Sequence, residues 1–372
     1  MKVKNMGSNK VLNLGFRFAR LLAVPIIGIL IGFSVGAFFI RALGASPIEA
    51  YIVLVQGAFG SLFRLSFTLV LFVPLALSGL AIVLGYRAGV LNIGGEGQIY
   101  IAAMFSTWVA LHFVHLPQAL LVTLSLLAGA IGGALWASLP ALLRAYQNIN
   151  EIVTTLLMNY IGIYICNMSV ETFLQEPHSS IPQSAAFPAN SYLPILVPHT
   201  QIHLGIVIVL ILSVLIYFVL WHTSWGYGLR AVGVSRRAAE YGGVNVKTGM
   251  LITFLLSGAI AGLAGSITVL GVQHRLMQNF LVNFGYDGIP VALLGALNPF
   301  GTLLGALFFG AVLNGAQAMQ TAVAVPEPIV YIIEGLTVIA VVVTNTVFAR
   351  RKMSTPKRGH RSDGMDRNIV VG

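Results

Sequence analysis

Charge is scarce in this chain. Only 9% of its 372 residues are Asp, Glu, Lys or Arg, and just 11 are acidic. A soluble domain carries about 25% charged residues, so a globular fold with water on every side is excluded. Cysteine is nearly absent as well. Cys166 stands alone inside an apolar run, which rules out an intramolecular disulfide and any site built from several thiolates. The 8 histidines form no HExxH pair, and there is no Walker-type lysine loop and no GxSxG elbow. No catalytic residue, metal site, cofactor site or ATPase is recognisable within the chain itself.

What is present is hydrophobic. Apolar residues make up 57% of the sequence, and the mean hydropathy is +0.88. Uncharged runs recur near 21–43, 66–85, 97–115, 119–143, 151–169, 203–221, 249–271, 286–297, 300–321 and 327–347. A helix needs about 20 residues to cross a bilayer, so the pattern predicts an all-α polytopic membrane protein with about ten spans, eight to ten in all. The first run, from Leu21 to Ile40, exceeds a signal-peptide core of roughly 7–15 residues and is followed by no small-residue cleavage site, so it counts as a span. Between Asp287 and Glu327 lie 39 uncharged residues, too many for one span and barely enough for two. Asn298-Pro299 interrupts them, which predicts one short or re-entrant helix followed by a full one.

The net charge of +10 reads as topology rather than as nucleic-acid binding. With the N-terminus inside, all but Arg41, Arg64 and Arg275 of the 21 Lys and Arg residues are cytoplasmic, as the positive-inside rule requires. A basic tail that also ends inside favours an even number of spans. The expected organisation is a basic cytoplasmic N-terminus at 1–20, a transmembrane domain at 21–347 and a basic cytoplasmic tail at 348–372. The segment 170–202 has no Lys or Arg and five prolines. It is expected outside, either as an ordered loop or as an unstructured connector.

Glycines cluster at four-residue spacing inside spans: Gly129 and Gly133, Gly258 and Gly262, Gly301 and Gly305. That spacing puts both on one helix face, where it indicates close helix packing. A polar insert at 222–248 separates two apolar runs. Within it, Ser235 can cap a short helix over Arg236, Arg237, Ala238, Ala239, Glu240 and Tyr241, ended by Gly242-Gly243. Two arginines in the first turn oppose the helix dipole, so helix stability is not their purpose. Two readings stand: they hold the loop inside, or the helix docks in a partner's cleft.

Polar groups within the spans are few. Asn92, Glu96 and Gln98 stand at the entrance of the third span among Gly94, Gly95 and Gly97, which permit close backbone approach or a non-helical stretch. These glycines resemble a phosphate cradle, but no lysine or soluble strand accompanies them. Asn159 lies deeper in the fifth span. Asn314 and Gln317 share a helix face, and Gln320 follows in the same span. Each is a candidate for the path of a polar solute or for helix–helix hydrogen bonding. Glu334 in the last span must face a cavity or a polar partner, whether as packing or as a proton relay.

Four segments occur in order: YRAGVLNIGGEGQIY from Tyr86, NINEIVTTLLMNYI from Asn148, GYGLRAVGVSRRAAEYGGVNV from Gly226, and GYDGIPVALLGALNPFGTLLGA from Gly285. Together they resemble the permease subunits of bacterial ABC importers for nucleosides and simple sugars, a group that includes branched-chain amino-acid permeases. The likeness extends from about Leu65 to Val343. It implies that the insert is a cytoplasmic coupling helix fitting a groove on a separate ATPase, with Ala231, Gly233, Ala238, Ala239, Tyr241 and Gly242 on the family pattern. It also implies an inner-membrane location, an extracytoplasmic binding protein, and ATP and Mg2+ used only by the partner ATPase. The NIGGEGQ segment and the long external loop are most similar to the larger of two paired nucleoside permeases. A second, shorter permease is therefore expected, or otherwise a second copy of this chain. A sugar permease is the nearest alternative. An ion-coupled secondary transporter would need deep coupling acids, of which Glu334 is the single candidate, and would leave the insert without a purpose. For the basic tail the sequence suggests only topology and anionic-lipid contact.

Overall fold

In lipid every backbone polar group must find a partner within the protein, and an apolar chain achieves this most simply as helix. The structure, a computed structural model, describes residues 26–326 and 328–353. The N-terminal basic stretch 1–20 and residues 354–372 of the tail lie outside the described residues. Thirteen α-helices run through the described residues: α1 (Ile26–Ala42), α2 (Pro47–Phe59), α3 (Leu62–Arg87), α4 (Gly95–His112), α5 (Gln118–Gln147), α6 (Glu151–Glu171), α7 (Gly205–His222), α8 (Ser224–Val234), α9 (Arg236–Tyr241), α10 (Val246–Thr268), α11 (Phe284–Leu294), α12 (Pro299–Val323) and α13 (Pro328–Met353). The only β-type pairings among the described residues are three isolated bridges, Gln175 with Ser184, Gln183 with Met277 and Ile195 with His203.

Six of these helices, α3, α5, α6, α7, α10 and α12, are long and apolar enough to cross a membrane, or seven if α1 and α2 form one bent span. That criterion does not reach ten. The sequence reading has no helix at 47–59, where Pro47 opens α2 after a 119° bend, and treats α8 as loop.

α3 is the central pillar. Leu75, Ala76, Leu77, Leu80 and Val83 are fully buried on it, so it is surrounded rather than amphipathic. α10, α11 and α12 pack around it. The spaced glycines act as expected. A Cβ on Gly133 of α5 would lie 2.3 Å from the Gly258 carbonyl of α10, and one on Gly262 would lie 2.8 Å from the Gly129 carbonyl. On α1, Gly28, Gly32 and Gly36 admit Val341, Thr337 and Ile333 of α13 in the same way.

The short helix expected beyond Asp287 is present as α11. α10 ends in a π-helical turn over Val269–Gln273, His274 takes a left-handed conformation (φ 55°), and 275–283 is not helical. α11 then starts at Phe284 inside the protein, where Gly285 lies against Gly95 and Glu96.

The segment 170–202, expected outside, is ordered. Its backbone pairs with the end of α10: Ser184 N–H donates to Leu276 O at 2.8 Å, Phe187 N–H to His274 O at 2.9 Å and Leu193 N–H to Leu270 O at 3.1 Å. Arg275 pairs with Glu176 at 3.6 Å. His203 is buried here, and its Nδ1 accepts the Gly205 N–H at 3.1 Å, capping α7. Burial, and then the nearby His274, push the His203 imidazole down to about 4. The opposite end of the bundle gathers Arg87, Arg144, Arg230, Arg236, Arg237 and Lys247.

Candidate functional site

Two sets of sequence-selected residues come together, one inside the bundle and one on its basic end. Inside, the segment between α3 and α4 stays extended because its glycines fit where side chains would not, and its polar groups satisfy one another. Asn92 and Gln98 form a reciprocal amide pair: Asn92 Nδ2 donates to Gln98 Oε1 at 3.0 Å, and Gln98 Nε2 donates to Asn92 Oδ1 at 3.0 Å. Asn92 Nδ2 also donates to Ser257 Oγ of α10 at 2.9 Å, and Ser257 Oγ donates to the Ala81 carbonyl of α3 at 2.9 Å. Asn159 of α6 accepts the Gly97 N–H at 2.9 Å and donates to the Ile93 carbonyl at 2.9 Å and to Tyr286 Oη at 3.0 Å. Glu96 accepts the N–H groups of Asn283 and Gly285, each at 2.7 Å.

Asn92, Glu96, Gln98 and Asn159 are thus all buried in one network that joins α3, α4, α6, α10 and α11. Acceptor oxygens at the first turn of a half-helix are favourable, because its unpaired N–H groups point at them. Ser257 and Tyr286 complete the network and were not singled out from sequence, although Tyr286 lies in the GYDG segment.

Asn314 and Gln317 sit elsewhere, on α12. Asn314 Nδ2 donates to Arg64 O at 2.9 Å, Thr68 Oγ1 at 3.0 Å and Gly57 O at 3.2 Å, tying α12 to α2 and α3. Gln317 and Gln320 are exposed. Asn314 and Gln317 line an open cavity of about 410 Å³ with Phe63, Arg64, Phe67 and Thr321. Glu334 is buried on α13, remote in sequence from both sets and next to Ile333, which meets Gly36 of α1.

At the basic end, Ser235 Oγ accepts the Ala238 N–H at 3.4 Å, α9 spans Arg236–Tyr241, and Gly243 takes φ 80° just beyond it. Ala239 is buried among Ala88, Val90, Ala141, Leu229, Val246 and Phe254, which fixes the helix to the bundle. Arg236 Nη2 donates to Gly89 O at 3.1 Å, so this arginine binds α9 to the α3–α4 connection. Its partial burial, then Arg144, lower its basicity, while Glu151 opposes them. Gly233 lies so close to the Arg87 carbonyl that a Cβ would be 2.4 Å from it. Ala231 is partly buried. The outward face is left to Ser235, Arg237, Ala238, Tyr241 and Gly242, and Tyr241 is 94% exposed. α9 thus presents Ala238 and Tyr241 outward while Ala239 anchors its inner side.

The family model described as branched-chain amino acid transport system, permease component, matches residues 64–342, which hold both sets of residues. The chain belongs to that family. Individual relatives agree. The permease is 32% identical over 329 residues to the guanosine ABC transporter permease protein NupP of Bacillus subtilis (strain 168), covering 86% of this chain and 92% of that one. It is 35% identical to the glucose ABC transporter permease protein TsgB13 of Haloferax volcanii, covering 88% and 89%. It is 29% identical to the nucleoside ABC transporter permease protein NupB of Lactococcus lactis subsp. cremoris, covering 92% and 99%. The protein is accordingly a permease subunit of an ABC transport system, a membrane component rather than an enzyme.

Proposed function

We propose that the permease forms the translocation path of an ATP-driven, binding-protein-dependent nucleoside importer in a bacterial cytoplasmic membrane. The observation that carries this is the likeness, over most of the chain, to permeases named for guanosine and nucleosides. The NIGGEGQ segment and the ordered external loop support the same branch. A sugar is the second reading, favoured by the likeness to a glucose permease.

In this reading ten segments cross the membrane: α1, α3, α4, α5, α6, α7, α10, the stretch 274–294 that includes α11, α12 and α13. The domain 21–347 then has both basic termini in the cytoplasm, with 170–202 outside and 222–248 inside. α9 is the coupling helix. ATP and Mg2+ act in the partner ATPase, whose closure pushes on Ala238 and Tyr241, and Ala239, Arg236 and Gly233 pass that motion to α3. A binding protein delivers substrate to the outer loop side, and a second permease, shorter than this one or a second copy, completes the path.

The α12 face lines that path. The Gln317 amide and the Asn314 Oδ1, whose Nδ2 is used within the bundle, match the hydrogen-bonding edges of a base or sugar, and Phe63 and Phe67 offer rings for stacking. Asn92, Glu96, Gln98 and Asn159 brace the helices behind it, and Glu334 belongs to the α13 flank. The test is uptake of labelled guanosine by cells in which this chain is deleted and restored, with excess unlabelled nucleosides or glucose as competitors. Uptake restored by the chain and blocked by nucleosides alone supports the reading. Blocking by glucose alone moves it to the sugar branch.

A further inference from the structure

Tyr86, Arg87, Arg230, Gly233 and Val234 line an open cavity of about 310 Å³ at the basic end of α3 and α8. The Arg87 and Arg230 guanidinium carbons lie 5.5 and 5.8 Å from the centroid of the Trp221 ring, so two cations gather on one aromatic at the end of α7. Arg87 uses Nε and Nη2 on the Leu297 carbonyl, at 3.1 and 2.9 Å. Arg230 Nε is buried and makes no hydrogen bond. Among the described residues the arginine–carboxylate pairs are Arg144 with Glu151 and Arg275 with Glu176, so neither cation of this cavity has an acidic partner. Two uncompensated guanidiniums around one cavity repel each other, and an anion between them reverses the sign of that interaction.

The wall leading to the cavity narrows the choice of anion. Ile211, Val214, Leu215 and Phe218 are all exposed on α7. Their spacing of three, four and seven residues makes one apolar stripe, which runs down to Trp221. An apolar stripe that ends in a tryptophan beside arginines has the layered chemistry of a bilayer leaflet: acyl chain, interfacial ring, charged headgroup. Guanidinium forks suit phosphate oxygens, and basic pockets between spans are established positions for anionic headgroups.

We propose that this cavity binds the headgroup phosphate of an anionic phospholipid whose acyl chains lie along α7. Arg230 is its main ligand, Arg87 supplies the donor it does not use on Leu297, and the lipid packs α7 and α8 against α3. This holds whichever solute the permease carries.

Native mass spectrometry of the full-length permease, released from detergent with added phosphatidylglycerol or phosphatidylcholine, tests it. The wild type is expected to retain one phosphatidylglycerol at concentrations where phosphatidylcholine is not retained. Arg230→Gln should weaken that retention about tenfold, the scale of one charge-assisted hydrogen bond, while Arg237→Gln, an equal change of charge on the exposed face of α9, should not. Should Arg230→Gln fail to fold, Arg230→Lys keeps the charge without the fork and is expected to retain lipid at intermediate strength. Equal retention by wild type and Arg230→Gln would overturn the proposal, as would equal retention of both lipids. Displacement of phosphatidylglycerol by millimolar inorganic phosphate would reassign the cavity to a free anion. Unchanged lipid retention with weakened ATPase assembly would reassign it to a protein carboxylate.

Discussion

Glu96 and Gly285 meet where two helices begin deep in the protein: Glu96 Oε2 accepts the Gly285 amide at 2.7 Å, and its Oε1 accepts that of Asn283 at 2.7 Å. One side chain therefore closes the start of α11, which follows directly on the turn residues 278–283. Removing it leaves the buried Gly285 N–H unpaired and hands the partly buried Asn283 N–H to solvent. Glu96→Ala is expected to cost about 1–3 kcal/mol. Glu96→Gln should cost less, because its carbonyl can still serve one of the two. Thermal unfolding of the purified variants in detergent reads the order.

The α5–α10 crossing depends on having no side chain at Gly133. A Cβ there would stand 2.3 Å from the Gly258 carbonyl, whereas one on Gly335 of α13 would meet nothing within 4 Å. Gly133→Ala should therefore destabilise by about 1–3 kcal/mol, as overpacking does, and Gly335→Ala should change little. The same unfolding measurement on both separates a packing requirement from a general intolerance of alanine.

Neighbouring alanines on α9 should behave oppositely. Ala238 is exposed and Ala239 is buried at 4%. Ala238→Trp is expected to abolish transport with normal membrane insertion and an unchanged unfolding temperature. Ala239→Trp should lower the unfolding temperature, because the pocket around it is already filled. Expression, unfolding and uptake measured together distinguish the two effects.

The His203 cap gives the segment before α7 a dependence on pH. Its folded value of about 4 lies below an ordinary histidine near 6.5, so the unfolded chain binds a proton more readily. The stability contributed by neutral His203 is present above pH about 6.5 and declines as pH falls toward 4, by up to about 3 kcal/mol. Protonation of Nδ1 would also turn the acceptor of the Gly205 N–H into a donor. Proteolysis or hydrogen exchange of the 172–204 segment should accelerate across that range in the wild type, and should become nearly flat in His203→Ser, which can still cap α7.

Much of this arrangement was legible in the sequence. Apolar runs located the long helices within a few residues, the Gly129/Gly133 and Gly258/Gly262 pairs marked a crossing, and Asn298-Pro299 separated α11 from α12. Ser235 and Gly242-Gly243 bounded α9. The long-range partners were not legible. Nothing near Glu96 indicates that its ligands are amides at Asn283 and Gly285, because backbone donors leave no trace in residue identity. α2 is not legible because the apolar run ends at 43, and Pro47, Glu49 and Gln56 leave 47–59 too short and too polar to count as a span. The two arginines of α9 looked alike in sequence, yet Arg236 reaches Gly89 and Arg237 faces outward. That difference depends on which side of a six-residue helix meets the bundle.

The most direct measurement is nucleoside uptake by proteoliposomes containing the complete transporter, with ATP supplied on the ATPase side and with the ATPase intact or inactivated. Uptake is expected to require this chain and ATP hydrolysis, to persist when protonophores dissipate ion gradients, and to vanish with Ala238→Trp. Uptake that survives loss of ATPase activity and collapses with the ion gradient would contradict an ATP-driven permease coupled through α9.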